Sequence, residues 1–478
     1  MKNKIIGRKE EWERLNDSMT EDVAQLIVVY GRFRVGKTFL INEYFDNQFA
    51  FKMTGSYGKS KKIQLRTFSD ELNRRTDLHH SVPKDWIEAF NFLRDYLESL
   101  NQNEKHVVFF DEMPWIDTKR SGFLSAFEWF WNDWGSSQDN LVFIVCGSAT
   151  SWMVDHFANN KGGLFNRQTC KLVLRPFTLH ETESFLQSRG ILWSRYEIAQ
   201  CYMIMGGIPY YLRLLNQRQS FSQNIDRLFF SPNGELRDEF ENLYRTLFSD
   251  SDNYIKVVQA LSQKSSGLTR KEISQKTGIS QNGSLTIILK NLVSSGFIRI
   301  SNYYHQKKKD ALYQLSDYYT AFYFHFIKDR TGLDEHYWSN TTDNPSRRSW
   351  SGLTFEQLCK DHIPQIKHKL VISGVLSEES TWYVQGNADE GITGCQIDLI
   401  IDRRDMVINL CEMKFSMNEF VIDKDYDAVL RNKIDTFRRL TGSRKSLSLT
   451  MITTYGVRQN MYSQLVQSQV TLDDLFHA

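Results

Sequence analysis

The chain has 478 residues, a formal net charge of +2, 24% charged and 41% hydrophobic residues, a balance that suits a globular protein of roughly two to four domains and confines any nucleic-acid surface to local patches. Its six cysteines lack C-x-x-C spacing, which argues against a zinc site or a disulfide framework. No run approaches the length of a membrane span, and the charged start "MKNKIIGRKEEWERL" lacks the apolar stretch of a signal peptide, so the expectation is a cytoplasmic protein with no membrane association.

The apolar run Leu26, Ile27, Val28, Val29, Tyr30 leads into "GRFRVGKTFLI" (31–41). Gly31, Gly36, Lys37 and Thr38 fit G-x-x-x-x-G-K-[ST], with a strand before and a helix after, as the pattern requires. The glycines let several backbone N–H groups point at one phosphate. Lys37 is expected on the β and γ phosphates and Thr38 on Mg²⁺, with the helix N-terminus adding partial positive charge. The expected nucleotide contacts are Gly31, Arg32, Phe33, Arg34, Val35, Gly36, Lys37, Thr38 and Phe39. Arg32 and Arg34 either add charge near the phosphates or point to solvent.

"HVVFFDEMPWID" (106–117) reads as a buried strand ending in two carboxylates. Asp111 at its end is suited to bind Mg²⁺ through water. Glu112 is suited to polarise the attacking water as general base. A third strand, "NLVFIVCGSAT" (140–150), ends in small polar residues, and Ser148 is the candidate sensor of the γ phosphate or the lytic water.

This order of strands and motifs resembles the AAA+-related, STAND-like ATPases of archaea and bacteria. The resemblance makes "IIGRKEEWERL" (5–15) the N-terminal box that touches adenine, so that Ile6, Gly7 and Arg8 lie near the base. It makes Arg167, in "GLFNRQT" (163–169), a candidate for γ-phosphate or trans contact, against the plainer reading of a surface arginine. "GGIPYYLRLL" (206–215) resembles the lid segment of the family, although Pro209 departs from an arginine-bearing sensor.

Residues 170–250 read as mostly helical, with Thr178 and Glu181 forming a capping box. From 253 to 315 the pattern is helix, helix, helix and a β-hairpin, the signature of a winged helix. Thr269, Glu272 and Gly278 bound its second helix, and Leu285, Ile288, Leu289 and Leu292 form one face of the third. Lys307, Lys308 and Lys309 at the hairpin tip are either phosphate contacts or a solvated turn. "DYYTAFYFHFIK" (317–328) reads as a packed helix with His325 in its core, and "SNTTDNPSRRS" (339–349) as a linker.

"WSGLTFEQLCKDHI" (350–363) reads as a helix, and "GCQIDLIID" (394–402) with "VINLCEMKFS" (407–416) as a strand hairpin. Residues i and i+2 of a strand share a side, so Glu412 and Lys414 project together and Asp398 can meet them across the hairpin. Two buried acids invite a divalent cation. Mg²⁺ held by Asp398, Glu412 and the Met413 carbonyl is suited to phosphodiester hydrolysis. Lys414 would offset developing charge, with Glu356 as a further carboxylate. This D…E-x-K arrangement resembles the PD-(D/E)XK phosphodiesterases, from about 350 to 455, with Gln396 and Ile397 before the first Asp instead of an acid.

The expected fold is multidomain α/β: a P-loop NTPase core (1–170), a helical lid (171–250), a winged helix-turn-helix (251–316), a helix and linker (317–349) and a restriction-endonuclease-like α/β domain (350–478). The expected cofactors are ATP and Mg²⁺, and the expected partners are DNA and a second copy of the chain or another protein. The function read from these motifs is an ATPase acting on DNA and gating a nuclease. The alternative is a switch ATPase whose C-terminal domain is catalytically silent.

Overall fold

A computed structural model describes residues 5–76, 80–148, 150–158, 163–164, 166–248, 250–305, 311–330, 334–387 and 393–478. The chain divides into two compact units, residues 1–176 with 246–249, and residues 177–245 with 250–478. Among the described residues no helix is long and apolar enough to cross a membrane.

The first unit is built on five parallel strands, β1 (Gln25–Gly31), β2 (Phe51–Thr54), β3 (His106–Asp111), β4 (Leu141–Gly147) and β5 (Cys170–Leu174), in the order β2-β3-β4-β1-β5. Strands β1 and β4 are buried along their whole length, as expected of a parallel sheet covered on both faces. Their uninterrupted apolar runs are the reason they were legible. Helices α1 (Lys9–Thr20), α2 (Lys37–Tyr44), α3 (Lys61–Asn73), α4 (Trp86–Ser99), α5 (Met113–Ile116), α6 (Phe123–Asp133) and α7 (Thr150–Met153) accompany the sheet. One core brings together Phe90, Phe110, Phe123, Phe127, Phe130 and Phe143, the last stacked on Phe110 at 5.2 Å. Aromatic pairs at such distances add about 0.5–1.5 kcal/mol each beyond the area they bury.

Strand β5 is a departure from the expected helical stretch after 170. Its alternation of buried and half-exposed residues is the edge-strand pattern, and five residues are too few for that period to stand out in a sequence. Gly31 depends on this strand: its φ is +153°, and a Cβ there would collide with the Leu174 carbonyl oxygen.

The second unit begins with α8 (Leu179–Ser188), α9 (Arg195–Met205), α10 (Pro209–Leu212), α11 (Phe221–Ile225) and most of α12 (Glu239–Leu247). Capping boxes start α8 at Thr178 with Glu181 and α9 at Ser194 with Glu197. Next come α13 (Ser251–Ser262), β6 (Leu268–Thr269), α14 (Arg270–Thr277), α15 (Gly283–Ser294), β7 (Ile298–Ser301) and β8 (Leu312–Leu315), with the strands in the antiparallel order β6-β8-β7. Thr269 and Glu272 cap α14, Gly278 ends it in the left-handed region, and Leu285, Ile288, Leu289 and Leu292 are the buried face of α15. Lys307, Lys308 and Lys309 lie outside the described residues.

Two expectations for the connecting stretch are corrected. After α16 (Tyr318–Phe322), residues Tyr323–Ile327 form a π-turn, whose extra residue rotates the helix face. His325 is therefore exposed, with Nε2 3.2 Å from Ser346 Oγ, and is no core residue. After α17 (Tyr337–Asn340), the expected linker instead starts α18 (Pro345–Asp361). Asn344 caps this helix and Pro345 sits in its first turn, a start signal that outweighs the polar composition.

Beyond α19 (Ile363–Lys369), a second sheet comprises β9 (Ser377–Val384), β10 (Cys395–Arg403), β11 (Val407–Lys414), β12 (Ser446–Thr453) and β13 (Ser468–Thr471), in the order β13-β12-β11-β10-β9. Strands β9, β10 and β11 are antiparallel, while β11, β12 and β13 run parallel. The crossover helix α20 (Lys424–Thr441) joins β11 to β12. The chain leaving β7 joins the outer edge of this sheet: Tyr304 N donates to Thr381 O at 2.9 Å and Thr381 N to Asn302 O at 3.1 Å.

Candidate functional sites

In the first unit the phosphate-type loop is the turn between β1 and α2. Gly36 (φ +91°) and Arg34 (φ +68°) both take left-handed backbone, the kind of turn from which anion-binding loops are built. Lys37 is buried, and its Nζ donates to the carbonyl oxygens of Gly31 at 3.2 Å and Arg32 at 2.9 Å. Both partners belong to the loop itself, so the ammonium is held at its mouth. Arg32 and Val35 are buried, Phe33 and Arg34 partly so, and Phe39 is exposed on α2. Arg34 lies over the Phe33 ring at 5.4 Å. The N-terminal box reaches this loop through Arg8, a buried side chain whose Nη2 donates to Val35 O at 3.1 Å. Gly7 (φ +68°) and Arg8 (φ +60°) turn the chain into α1, and Ile6 is partly buried beside them.

The end of β3 meets the same loop. Thr38 Oγ1 donates to Asp111 Oδ2 at 2.9 Å, and Asp111 Oδ1 accepts from Glu112 N at 3.0 Å. Glu112 has φ +47° and ψ +47°, a conformation that costs a non-glycine residue on the order of 1 kcal/mol. The strained turn aims its carboxylate at the end of β4, where Ser148 Oγ donates at 2.6 Å and Ser148 N at 3.1 Å. Gly147 permits this approach, since a Cβ there would meet Pro114 at 2.7 Å. Burial raises the Glu112 carboxyl above the usual range, while Lys37 and Ser148 pull it back. Lys37, Thr38, Asp111, Glu112 and Ser148 thus form one connected polar group at the carboxyl ends of adjacent strands, where ligands bind in open α/β sheets. Arg167 is exposed in the segment before β5.

The second constellation lies on the second sheet. Asp398 of β10 and Glu412 of β11 are buried, at 6% and 3% exposure. The β10–β11 register pairs Leu399 with Cys411, and one step further sets Asp398 opposite Glu412. Lys414 Nζ lies 3.0 Å from Glu412 Oε1, the pairing that period-two spacing implies. Asp398 Oδ2 accepts from Met413 N at 3.4 Å, and its Oδ1 from Gln396 Nε2 at 3.3 Å. Burial, then Glu412, raises the Asp398 carboxyl. Burial and the Asp398 charge push Glu356 of α18 to about 7. Burial works against the Glu412 anion, but Lys414 and Lys433 together hold its carboxyl below the usual range.

Three contributors escaped sequence reasoning. Tyr426 Oη donates to Glu412 Oε1 at 2.7 Å, Lys433 Nζ to Glu412 Oε2 at 2.6 Å, and Lys360 of α18 faces Glu356 and Asp398. For Tyr426 and Lys433 the signal was on α20, where Leu430 and Phe437 are buried. Tyr426 and Lys433 interrupt that apolar face at helical spacing. Among the described residues no group of three or more His, Cys, Asp or Glu side chains is arranged to hold a metal ion. At the second sheet the oxygens of Glu412 are turned to Lys414, Tyr426 and Lys433.

Residues 5–215 match a family described as an ATPase domain predominantly from Archaea. An uncharacterized protein of Methanocaldococcus jannaschii is 24% identical over 399 residues, which cover 83% of this chain and 84% of that one. An uncharacterized ATP-binding protein of the same organism is 49% identical over 44 residues, 9% of this chain and 75% of that one. Among solved structures, a Walker-type ATPase of Pyrococcus abyssi superposes with a TM-score of 0.49 at 18% identity, covering 67% of this chain and 96% of that one. The chain is an ATP-hydrolysing P-loop NTPase, and residues 5–215 carry the match to that ATPase domain.

Proposed function

We propose that this ATPase acts on DNA and that its nucleotide state gates a Mg²⁺-dependent phosphodiesterase site on the second sheet. The observation that carries the reading is the meeting of Asp398, Glu412 and Lys414 from adjacent strands, with Glu356 beside them. Two opposed buried carboxylates are a hard-cation donor set, and a lysine on the same side suits a phosphodiester. Asp398, Glu412 and the Met413 carbonyl would hold Mg²⁺, which supplies a Lewis acid and an activated water when bound, whereas Glu356 is not arranged with them as a third ligand. Lys414 would sit on the oxygen where negative charge develops.

In the ATPase core, Lys37 would exchange its loop carbonyl contacts for the β and γ phosphates, with the nucleotide base near Gly7 and Arg8. Thr38 and Asp111 would hold the nucleotide's Mg²⁺, and Glu112 would take a proton from the attacking water under the orientation of Ser148. Arg167, being exposed, is suited to reach a nucleotide on a second copy of the chain. Residues 1–170 would serve as the core, 171–250 as the lid, 251–316 as a winged helix, 317–349 as the connection and 350–478 as the nuclease-like domain, in a cytoplasmic protein. The exposed Thr286, Ile287 and Lys290 of α15 are the residues a DNA groove would meet.

The test is cleavage of supercoiled and linear DNA with Mg²⁺ or Mn²⁺, with and without ATP, by wild type, Lys37→Ala and Glu412→Ala. Scission that EDTA stops, that Glu412→Ala lacks and that Lys37→Ala alters is the expected result. One observation favours a second reading, a switch ATPase with a silent C-terminal domain: the Glu412 oxygens are already engaged. ATP turnover without scission under every condition would establish it in place of the first.

A further inference from the structure

Lys433 is a charged residue on the inner side of α20. It lies on the face that packs on the sheet, in line with Leu430 and Phe437, where an apolar residue would bury more favourably. Its side chain is 16% exposed and ends 2.6 Å from Glu412 Oε2, while Glu412 itself is 4% exposed. The other Glu412 oxygen takes Tyr426 at 2.7 Å and Lys414 at 3.0 Å. The charged groups facing one another here are Glu356, Asp398 and Glu412, against Lys360, Lys414 and Lys433. Glu412 therefore has an ammonium group on each of its oxygens and is compensated by the protein alone.

A divalent cation needs the lone pairs that Lys433 occupies. Lys414 meets the carboxylate from its own strand, on the oxygen shared with Tyr426, and leaves Oε2 to Lys433. We propose that Lys433 is a positioning residue that stands in the cation's place on Glu412, keeping the cluster closed to divalent metal until its ammonium swings away. This rests on the phosphodiesterase reading and adds its regulation: the site is self-neutralised at rest. Lys433 has a long, flexible stem near the surface, so release requires rotation of one side chain and no movement of the sheet.

The experiment is Mn²⁺ binding to the full chain without nucleotide, followed by calorimetry and by the electron paramagnetic resonance of free Mn²⁺. Wild type, Lys433→Met, Lys433→Gln and Lys433→Arg are each compared with the same protein carrying Asp398→Asn, and the component lost with Asp398→Asn belongs to this site. Lys433→Met and Lys433→Gln are expected to bind Mn²⁺ there at least about tenfold more tightly than wild type, since a like charge beside the dication is gone. Lys433→Arg is expected to bind as weakly as wild type. The glutamine variant serves if the methionine variant fails to fold. Equal Asp398-dependent binding by wild type, Lys433→Met and Lys433→Gln would overturn the blocking role and leave the metal site standing. Absence of Asp398-dependent binding in every variant would overturn both the blocking role and the metal site it rests on.

Discussion

The Tyr196 ring stacks on Phe415 with centroids 4.9 Å apart and planes 7° from parallel, and Phe415 directly follows Lys414. Tyr455 extends the stack at 6.2 Å, and Phe355 of α18 meets Phe415 at 5.2 Å. Arg195 of α9 pairs with Glu183 of α8 at 2.9 Å and with Asp473, in the turn after β13, at 3.3 Å. The Tyr196–Phe415 stack thus joins α9 to the residue that follows the E-x-K strand. Tyr196→Ala is expected to lower stability by at least about 0.5–1.5 kcal/mol, the pair interaction alone, and to speed amide exchange at 412–416, leaving the amides of β13 unchanged. Tyr196→Phe keeps the stack and should keep the slow exchange. Equal exchange in Tyr196→Ala and wild type would show that the ring does not hold the strand end.

Ser148 and Glu112 are expected to set the acid limb of ATP turnover. Burial raises the Glu112 carboxyl, and the Ser148 hydroxyl and amide, by favouring the anion, hold it down. A base must be ionised, so turnover should fall as pH drops through this raised value. Removing the hydroxyl removes a bond to the anion, hence Ser148→Ala is expected to move that limb to higher pH while turnover on the alkaline plateau changes less. Glu112→Gln should bind ATP and lose turnover by at least about a hundredfold. Rates measured from pH 5 to 9 decide it, and an acid limb that stays in place in Ser148→Ala would exclude Glu112 as the group titrating.

What could be read from the chain follows how locally each feature is encoded. The P-loop lies within a few residues, and its glycines and lysine act through backbone geometry next to them in sequence, so Gly31, Gly36 and Lys37 were legible at once. The capping boxes of α8 and α14 are equally local. Glu412 and Lys414 share a side because strands have period two, which needs no knowledge of the fold. Lys433 and Tyr426 were hidden because their meaning depends on where α20 crosses the sheet, a relation made by tertiary packing. Strand β5 was missed because five alternating residues are too short a period, and the first turn of α18, ahead of the helix read from 350, because polar residues after Pro345 mask a sound helix start. Arg347 shows the mask clearly: within that polar stretch it is 6% exposed, stacked over Trp338 at 3.8 Å and bonded to the Trp338 carbonyl at 2.7 Å.

Glu356 should make the chain less stable as pH rises. Burial and the Asp398 charge lift its carboxyl from the ordinary 4.5 to about 7 in the folded protein. A raised folded value means that the native state binds the proton more tightly than the unfolded chain does. Its contribution to stability is then fully present below about 4.5 and is lost as pH rises to about 7. Above that the ionised carboxylate remains in a cluster that disfavours it, at a cost of up to about 3 kcal/mol. Glu356→Gln keeps the shape and removes the charge, so it is expected to melt higher than wild type at pH 8 and close to wild type at pH 4.5. Thermal melts of both proteins across that range, without divalent metal, check the sign. A Glu356→Gln protein that is less stable than wild type at pH 8 would mean that the carboxylate is compensated by Lys360 and Lys414, and that Glu356 is held in the cluster as a partner of those lysines.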